Sequence, residues 1–172
     1  MKGFLMSILG VAIFIALTGY LTKNIVKKSA ETPNQANTNL TTGYITVRNI
    51  RVDVEIAQTD EQRAKGLSFR EDLKQYSGLL FDFKGLNKQP IFWMKDMLIP
   101  IDIIWIKNDK IVKINANAQP EKSGTLEKNY KLYKAPSVID YVLEVNGNWC
   151  DQNGVSVGDE VKFFLPSPDG KI

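Results

Sequence analysis

After residue 43 the chain consists of short apolar or alternating runs that are separated by turn residues. Such runs are typical of β-strands. The predicted strands are residues 44–48, 50–56, 79–83, 91–95, 101–107, 110–116, 138–145 and 160–165. No segment supplies the long crossover helices that a fully parallel sheet requires. We therefore expect a mainly β (α+β) domain, a small antiparallel or mixed barrel or sandwich.

Two short helices and one tight turn complete the expected domain. Thr59 and Gln62 fit the first and last positions of a capping box, and Gly66 can end the helix that this box begins. Asn146 is predicted to cap a second helical turn within residues 147–154. The dipeptide 108–109, Asn-Asp, predicts a tight hairpin between two of the strands.

Residues 3–22 contain no charged side chain. As a helix with a rise of about 1.5 Å per residue, this run reaches roughly 30 Å, the thickness of the hydrocarbon core of a bilayer. It predicts a membrane helix in front of the domain. A cleaved signal peptide is the alternative, but its apolar region would be shorter, about 7–15 residues, and the residues after Ala16 form a weak cleavage site. We favour an uncleaved anchor.

The predicted organisation has four parts. Residues 1–28 form a membrane anchor or signal segment, 29–43 a flexible linker, 44–166 the β-rich domain, and 167–172 a tail. The linker has one charge and only Leu40 as a large apolar residue, too little to offset the entropy cost of ordering it. The lysines before and after the apolar run are nearly balanced and slightly favour a domain in the cytoplasm. The short basic head before the run is typical of exported chains, so we favour a single-pass protein of the cell membrane with its domain outside the cytoplasm.

Charge and composition exclude several classes of function. Four lysines and one glutamate in residues 1–43 account for the whole net charge of +3, so the remaining chain is neutral and shows no nucleic-acid-binding excess of positive charge. The chain has no histidine, which excludes Ser-His-Asp and Cys-His nucleophiles and H-E-x-x-H zinc sites. Its one cysteine, Cys150, cannot form an intrachain disulfide and is predicted to be a small buried apolar residue.

Asp102 interrupts a strand whose two faces are otherwise apolar. Such a strand is expected to be central in its sheet, so this carboxylate should be buried. Burial is costly unless the group is paired or hydrogen-bonded. Lys95 is the predicted ion-pair partner, and backbone N–H groups at the turn through Pro100 are the alternative.

Six side chains form the best candidate ligand-binding set, with no metal or cofactor expected. They are Arg63, Trp93, Lys95, Asp96, Asp102 and Glu144. Arginine can clamp a carboxylate or phosphate, and tryptophan can stack on a ring. The simpler interpretation of Arg63 and Glu144 is that they are charges on solvated faces. Asp102 and Glu144 would suit glycoside hydrolysis, which needs no histidine, only if they met in one cleft.

Several linked motifs resemble one known family. They are Arg63-x-x-Gly66-Leu67, residues 78–83 (GLLFDF), 92–96 (FWMKD), 99–102 (IPID), 141–144 (YVLE) and 158–159 (GD). Over roughly residues 50–165 they are similar to domain of unknown function 192, the uncharacterised ACR family. The family pattern more often has Asn-Thr where this chain has Asp96-Met97. The resemblance implies a compact β-rich domain, often behind an export signal or membrane anchor, and no established activity.

These observations predict a membrane-tethered domain outside the cytoplasm that binds a small ligand, a glycan or an envelope protein without catalysis. One alternative is a histidine-independent hydrolase that uses paired carboxylates on a glycan-type substrate. Another is a structural or assembly factor of the envelope.

Overall fold

A curved seven-stranded sheet forms the centre of the computed structural model, which describes residues 40–166. Its strand order is β6-β5-β8-β3-β2-β1-β9, and β4 and β7 form a separate two-stranded sheet. The strands are β1 Thr41–Val47, β2 Ile50–Ala57, β3 Ser77–Asp82, β4 Ile91–Phe92, β5 Ile101–Lys107, β6 Lys110–Ala118, β7 Tyr133–Lys134, β8 Tyr141–Asn146 and β9 Val161–Phe164. The helices are α1 Asp60–Lys65, a 3-10 turn Glu127–Asn129 and α2 Trp149–Gln152.

The sheet is mixed and forms a half-barrel. Only β2 and β3 pair in parallel, and the connection between them, residues 58–76, carries α1. The two ends of the strand order approach each other, because Ile111 N donates to Asp159 O at 3.0 Å and Val161 N donates to Asp109 O at 2.8 Å. The expectation of a mainly β domain with two short helices is confirmed.

Apolar side chains fill both sides of the sheet. The concave side is formed by alternate residues of the strands, including Ile104, Leu143 and Val145, and is closed by Trp149 and Cys150 of α2. The convex side, formed by other residues of β3, β5 and β8, is covered by the segments that contain α1, β4 and β7. Residues Ile101 to Ile106 are all buried, so β5 is central, as its two apolar faces predict.

The predicted capping box at the start of the first helix is confirmed. Thr59 is the N-cap of α1, its Oγ1 accepts from Gln62 N at 3.2 Å, and Gln62 Oε1 accepts from Thr59 N at 3.0 Å. The predicted cap of the second helix is wrong. Its N-cap is Asn148, whereas the Asn146 side chain donates to Leu73 O at 2.9 Å, because Asn146 is still in β8.

Three strand boundaries differ from the predictions by three residues, and the other boundaries differ by two or fewer. Strand β4 ends at Phe92, because the chain turns at residues 95–96 instead of continuing as an extended strand. Strand β8 begins at Tyr141 rather than at residue 138, and β1 begins at Thr41, inside the predicted linker. The predicted hairpin turn is confirmed, with positive φ of 49° and 58° at Asn108 and Asp109.

The predicted anchor, most of the predicted linker and the tail lie outside residues 40–166. Within that range no helix combines the length and the apolar character that crossing a membrane requires.

Candidate functional site

A cavity of about 340 Å³ opens on the convex side of the sheet. Its wall is formed by α1 and the residues that follow it, by β4, and by side chains of β3 and β8. The lining residues are Asp60, Arg63, Ala64, Lys65, Gly66, Leu67, Ser68, Phe81, Phe83, Pro90, Ile91, Phe92, Trp93, Lys95, Met97 and Glu144. The cavity is therefore mainly apolar and aromatic, with a few charged groups, which is the usual composition of a small-molecule site.

An aromatic cluster holds the short strand β4 against the sheet. The Phe92 ring makes edge contacts with Phe81, at 4.8 Å between ring centroids, and with Trp105, at 5.4 Å. Offset and edge contacts of this kind are the preferred arrangements of aromatic pairs. They fix the cavity wall although β4 itself has only two residues.

Glu144 is the buried polar group of this cavity. It lies on β8 beside Val142, its side chain is on the convex side, and the residue is 4% exposed. Its Oε2 atom finds no hydrogen-bond partner within the part of the chain that the structure describes. A buried carboxylate without a partner is unfavourable, so the group is expected to hold a proton. The prediction of a solvated-face charge at Glu144 is wrong.

Burial raises the pKa of the Glu144 carboxyl to about 8, and the positive charge of Arg70 opposes part of that rise. Arg70 is itself held by Glu55, with Nη1 to Oε1 at 2.7 Å and Nη2 to Oε2 at 2.5 Å. This two-pronged pair lowers the pKa of Glu55. Because Arg70 is committed to Glu55, it leaves Glu144 without a direct ion pair.

Trp93 and Lys95 form one side of the cavity mouth. Trp93 is 48% exposed and its ring meets Tyr130 edge-on at a centroid distance of 6.3 Å. The Lys95 ammonium lies 5.7 Å from the centre of the Trp93 ring and forms an ion pair with Glu127. The hydrogen bond with Glu127 raises the pKa of Lys95. Lys95 therefore does not pair with Asp102, and that prediction is wrong.

Arg63 of α1 also lines the cavity. Its side chain is only 14% exposed, and Nη1 donates to Gln58 O at 2.8 Å and to Asp82 O at 2.9 Å, while Nη2 donates to Asp60 Oδ1 at 2.7 Å. Arg63 is therefore not a solvated-face charge. Its bonds tie α1 to the end of β3 and hold the cavity wall in place.

Asp102 and Asp96 lie outside the cavity. Asp102 is completely buried on the concave side, where its carboxylate accepts backbone N–H groups from Asn117 at 2.7 Å, Asn148 at 2.9 Å and Cys150 at 2.8 Å. The alternative prediction placed the backbone donors at the Pro100 turn, and it is wrong in that respect, because the donors come from β6 and from the start of α2. Asp96 is exposed at a turn with φ of 57°.

The structure thus brings together four of the six predicted site residues. Arg63, Trp93, Lys95 and Glu144 line one cavity, whereas Asp102 is on the other side of the sheet from Glu144. The two carboxylates cannot act on one glycosidic bond, because a glycosidase needs both on the same cleft. Within residues 40–166 no three acidic or cysteine side chains come together in a metal-binding arrangement.

The sequence missed the apolar wall of the site and the Arg70–Glu55 pair. Met97, one of the two positions at which the chain departs from the family pattern, is buried and lines the cavity. Glu144, like Asp102, is an acid in an otherwise apolar strand, but its burial also depends on the segments that cover the convex side.

Comparison with known proteins gives one family and several related structures. Residues 43–163 match the family model DUF192, Uncharacterized ACR. A crystal structure from Novosphingobium aromaticivorans, of a protein of unknown function, is 30% identical, with 74% of this chain and 89% of that chain covered and a TM-score of 0.64. A protein from Sinorhizobium meliloti, provisionally named a transcription regulator, is 28% identical, with 72% and 95% covered and a TM-score of 0.64. No curated protein matches the chain.

Proposed function

This chain belongs to the DUF192 family, and we propose that its domain binds a small organic ligand in the convex-side cavity without catalysing a reaction. One observation carries the proposal: the Glu144 carboxyl is buried with an unpartnered oxygen at the wall of a cavity of about 340 Å³. Unpartnered buried polar groups are rare in folded proteins, and a ligand that hydrogen-bonds the carboxyl would account for this one.

The mouth of the cavity supports the same proposal. Ile91 and Trp93 are both exposed there and both line the cavity. Exposed large apolar side chains beside a concave apolar surface commonly mark a binding site. A ligand with an apolar body would cover them as its polar group reaches Glu144.

Catalysis and nucleic-acid binding are not part of the proposal. The acid pair that would have served a glycosidase is divided between the two sides of the sheet. The name of the Sinorhizobium meliloti protein refers to transcription, but residues 44–172 of this chain carry 18 basic and 18 acidic side chains and so have no net charge with which to attract a phosphate backbone.

A large side chain that fills the cavity should prevent the ligand from binding. Ala64 is an exposed lining residue of α1, so Ala64→Trp places an indole at the mouth without disturbing the core. We expect mass spectrometry of small molecules extracted from the purified full-length protein to find a compound with the wild type that Ala64→Trp reduces at least tenfold. Ala116→Trp, at an exposed position of β6 outside the cavity, is the matched control and should keep the compound. Equal amounts in Ala64→Trp and wild type would contradict the proposal.

We further propose that residues 3–22 anchor the domain to the cell membrane and that the domain lies outside the cytoplasm. The support is the length of the uncharged run and the short basic head before it. Deleting residues 2–23 should move the protein from the carbonate-resistant membrane pellet to the soluble fraction. Deleting residues 29–38 is the control and should leave it in the pellet. Protease added to intact cells should degrade the domain of the wild type; complete protection would contradict the outward orientation.

A further inference from the structure

We propose that the segments that cover the convex side form a surface that docks on an anionic phospholipid bilayer. This docking surface consists of residues 84–99 and 119–134, which contain β4 and β7, and of the loop at residues 67–70. The inference goes beyond the proposed cavity ligand and does not depend on it. It follows from three features: the exposed apolar side chains, the charge of these segments and the place where the described chain begins.

The two-stranded sheet of β4 and β7 has an apolar outer face. Phe92 and Tyr133 pair across this sheet and pack against the convex core. Because side chains alternate along a strand, the residues on either side of this pair point outward. Three of these residues are large, apolar and about half exposed: Ile91, Trp93 and Leu132. The outer face of the small sheet is therefore a hydrophobic surface beside the cavity mouth.

Loops on both sides extend this apolar surface. The N–H of residue 69 donates to Asp96 O at 2.8 Å, and the Trp93 ring contacts Tyr130 at the end of the 3-10 turn. These loops expose three more large apolar side chains: Phe69, Leu98 and Leu126. None of these three lines the cavity, so a ligand bound there would leave them uncovered. Clustered exposed apolar side chains mark a contact with a membrane or with another protein.

The charge of the same segments favours an anionic surface. Residues 84–99 and 119–134 contain seven lysines and three acidic residues, a net charge of +4, although residues 44–172 as a whole have no net charge. The segment that contains α1, residues 58–76, is neutral. Six of the seven lysines are exposed, and Lys95 is the only one of the seven that forms an ion pair within residues 40–166.

The mixture of residue types favours a bilayer over a protein or a nucleic acid. Protein interfaces are depleted in lysine and enriched in arginine, whereas residues 84–99 and 119–134 contain no arginine. A nucleic acid would meet the lysines with its phosphates but would leave the aliphatic side chains uncovered. Lysines interleaved with tryptophan and leucine are typical of surfaces that lie on anionic headgroups and reach the acyl boundary.

The described chain begins on the same side of the sheet. Leu40 packs against the convex core, directly before β1. Seventeen residues, 23–39, separate Leu40 from the uncharged run, and a chain of that length spans at most about 60 Å. If the run anchors the chain as proposed, the docking surface can reach the bilayer. Weak affinity then suffices, because the tether gives the surface a high effective concentration.

Quenching of tryptophan fluorescence by brominated lipid measures this contact. The chain has three tryptophans, and Trp105 and Trp149 are buried, so Trp93 is the one that a bilayer can reach. The full-length chain is placed in nanodiscs of dibromostearoyl phosphatidylcholine, with or without about 30% phosphatidylglycerol, and bromine-free discs are the reference. We expect bromine to quench roughly a quarter of the emission in the anionic discs and about twofold less in the zwitterionic discs. Trp93→Phe should remove the bromine-dependent quenching.

Charge reversal at two pairs of lysines tests the electrostatic part. Lys128→Glu combined with Lys131→Glu, at exposed positions of the docking surface, should lower the quenching in anionic discs to the level of the zwitterionic discs. Lys110→Glu combined with Lys162→Glu changes the net charge equally at exposed positions of β6 and β9, outside the docking surface. This control should keep the wild-type quenching.

Leu126→Ser combined with Leu132→Ser tests the apolar part and should reduce the quenching by about half. The inference would be overturned by no bromine quenching in anionic discs, by equal quenching in the two lipids, by equal quenching in the two charge-reversal variants, or by no loss in the leucine variant. A protein that binds this surface in place of lipid would leave Trp93 unquenched in the discs.

The other proposals are judged by separate experiments. Carbonate extraction tests the anchor, and the extracted compound tests the cavity ligand. A chain that co-elutes with the discs but shows no bromine quenching would refute only the docking.

Discussion

Replacing Asp102 by alanine is expected to lower the free energy of unfolding by about 4 kcal/mol, because it leaves three buried backbone donors without an acceptor. The donors are the N–H groups of Asn117, Asn148 and Cys150, all within 2.9 Å of the carboxylate. A typical domain has only about 5–15 kcal/mol of stability, so the loss should be visible as a large shift of the urea midpoint followed by tryptophan fluorescence.

The three donors come from two different elements, which is why Asp102 matters for the fold. Asn117 has a φ of 51° where the β5–β6 register shifts, and this irregularity in β6 lets its N–H reach Oδ1. Asn148 and Cys150 begin α2, which closes the concave core. Asp102 therefore joins β6 and α2 to the central strand β5.

An asparagine at this position should separate charge from hydrogen bonding. In Asp102→Asn the amide oxygen can still accept from Asn117 and Asn148, but the amide nitrogen then faces the Cys150 N–H, so we expect a loss of roughly 2–3 kcal/mol. Asp72→Asn, at an exposed position, is the control and should stay within about 0.5 kcal/mol of wild type. An Asp102→Ala midpoint equal to that of the control would show that the carboxylate does not hold these elements.

Most strands of the sheet were predictable from the sequence, because the patterns that identify them lie within short stretches of neighbouring residues. Alternation identified β1 and β2, the two apolar faces of β5 identified it as central, and the capping box at Thr59 and the turn at Asn108 are short-range chemistry. The parallel pairing of β2 with β3 was not visible, because it depends on how residues 58–76 cross the sheet.

The cavity was predictable only in part, because its wall comes from covering segments that long-range contacts hold in place. The Arg70–Glu55 pair joins residues 15 apart, and Ser68 reaches Lys95 O at 3.3 Å across 27 residues. Periodicity carries no information on such pairs. Arg63, Trp93 and Lys95 were predicted as site residues from the chemistry of their side chains. The burial of Glu144 was not predicted, because it depends on the segments that cover the convex side.

The stability of the protein is expected to fall as pH rises from about 5 to 8.5, with Glu144 as the cause. Burial raises the pKa of this carboxyl to about 8 in the folded protein, whereas the usual value is 4.5. Between these values the folded state holds a proton that the unfolded state has released, so the free energy of unfolding decreases with pH, at about 1.36 kcal/mol per unit. The stabilisation from this proton is complete below pH 4.5 and is lost as pH passes through 8; the free energy of unfolding changes by roughly 5 kcal/mol in all, of which roughly 4 kcal/mol falls between pH 5 and 8.5.

Few other groups are expected to contribute to the pH dependence of stability between pH 5 and 8.5. The chain has no histidine, the group that normally titrates there. Among the described residues the other shifted carboxyls, Glu55, Asp60 and Glu61, have pKa values lowered by hydrogen bonds, away from the window. Burial raises the pKa of the Cys150 thiol and that of Tyr141, the latter to about 12, so both titrate above it. The terminal amine is present in every variant and cancels in the comparison.

The variant that isolates this proton is Glu144→Gln. It keeps the shape and polarity of the neutral acid but cannot ionise, so its urea midpoint should be nearly constant from pH 5 to 8.5, and the variant should become increasingly more stable than wild type as pH rises above about 5. Glu71→Gln, at an exposed glutamate, is the control and should follow the wild-type profile. Parallel profiles for wild type and Glu144→Gln would mean that Glu144 is ionised in the folded protein at neutral pH.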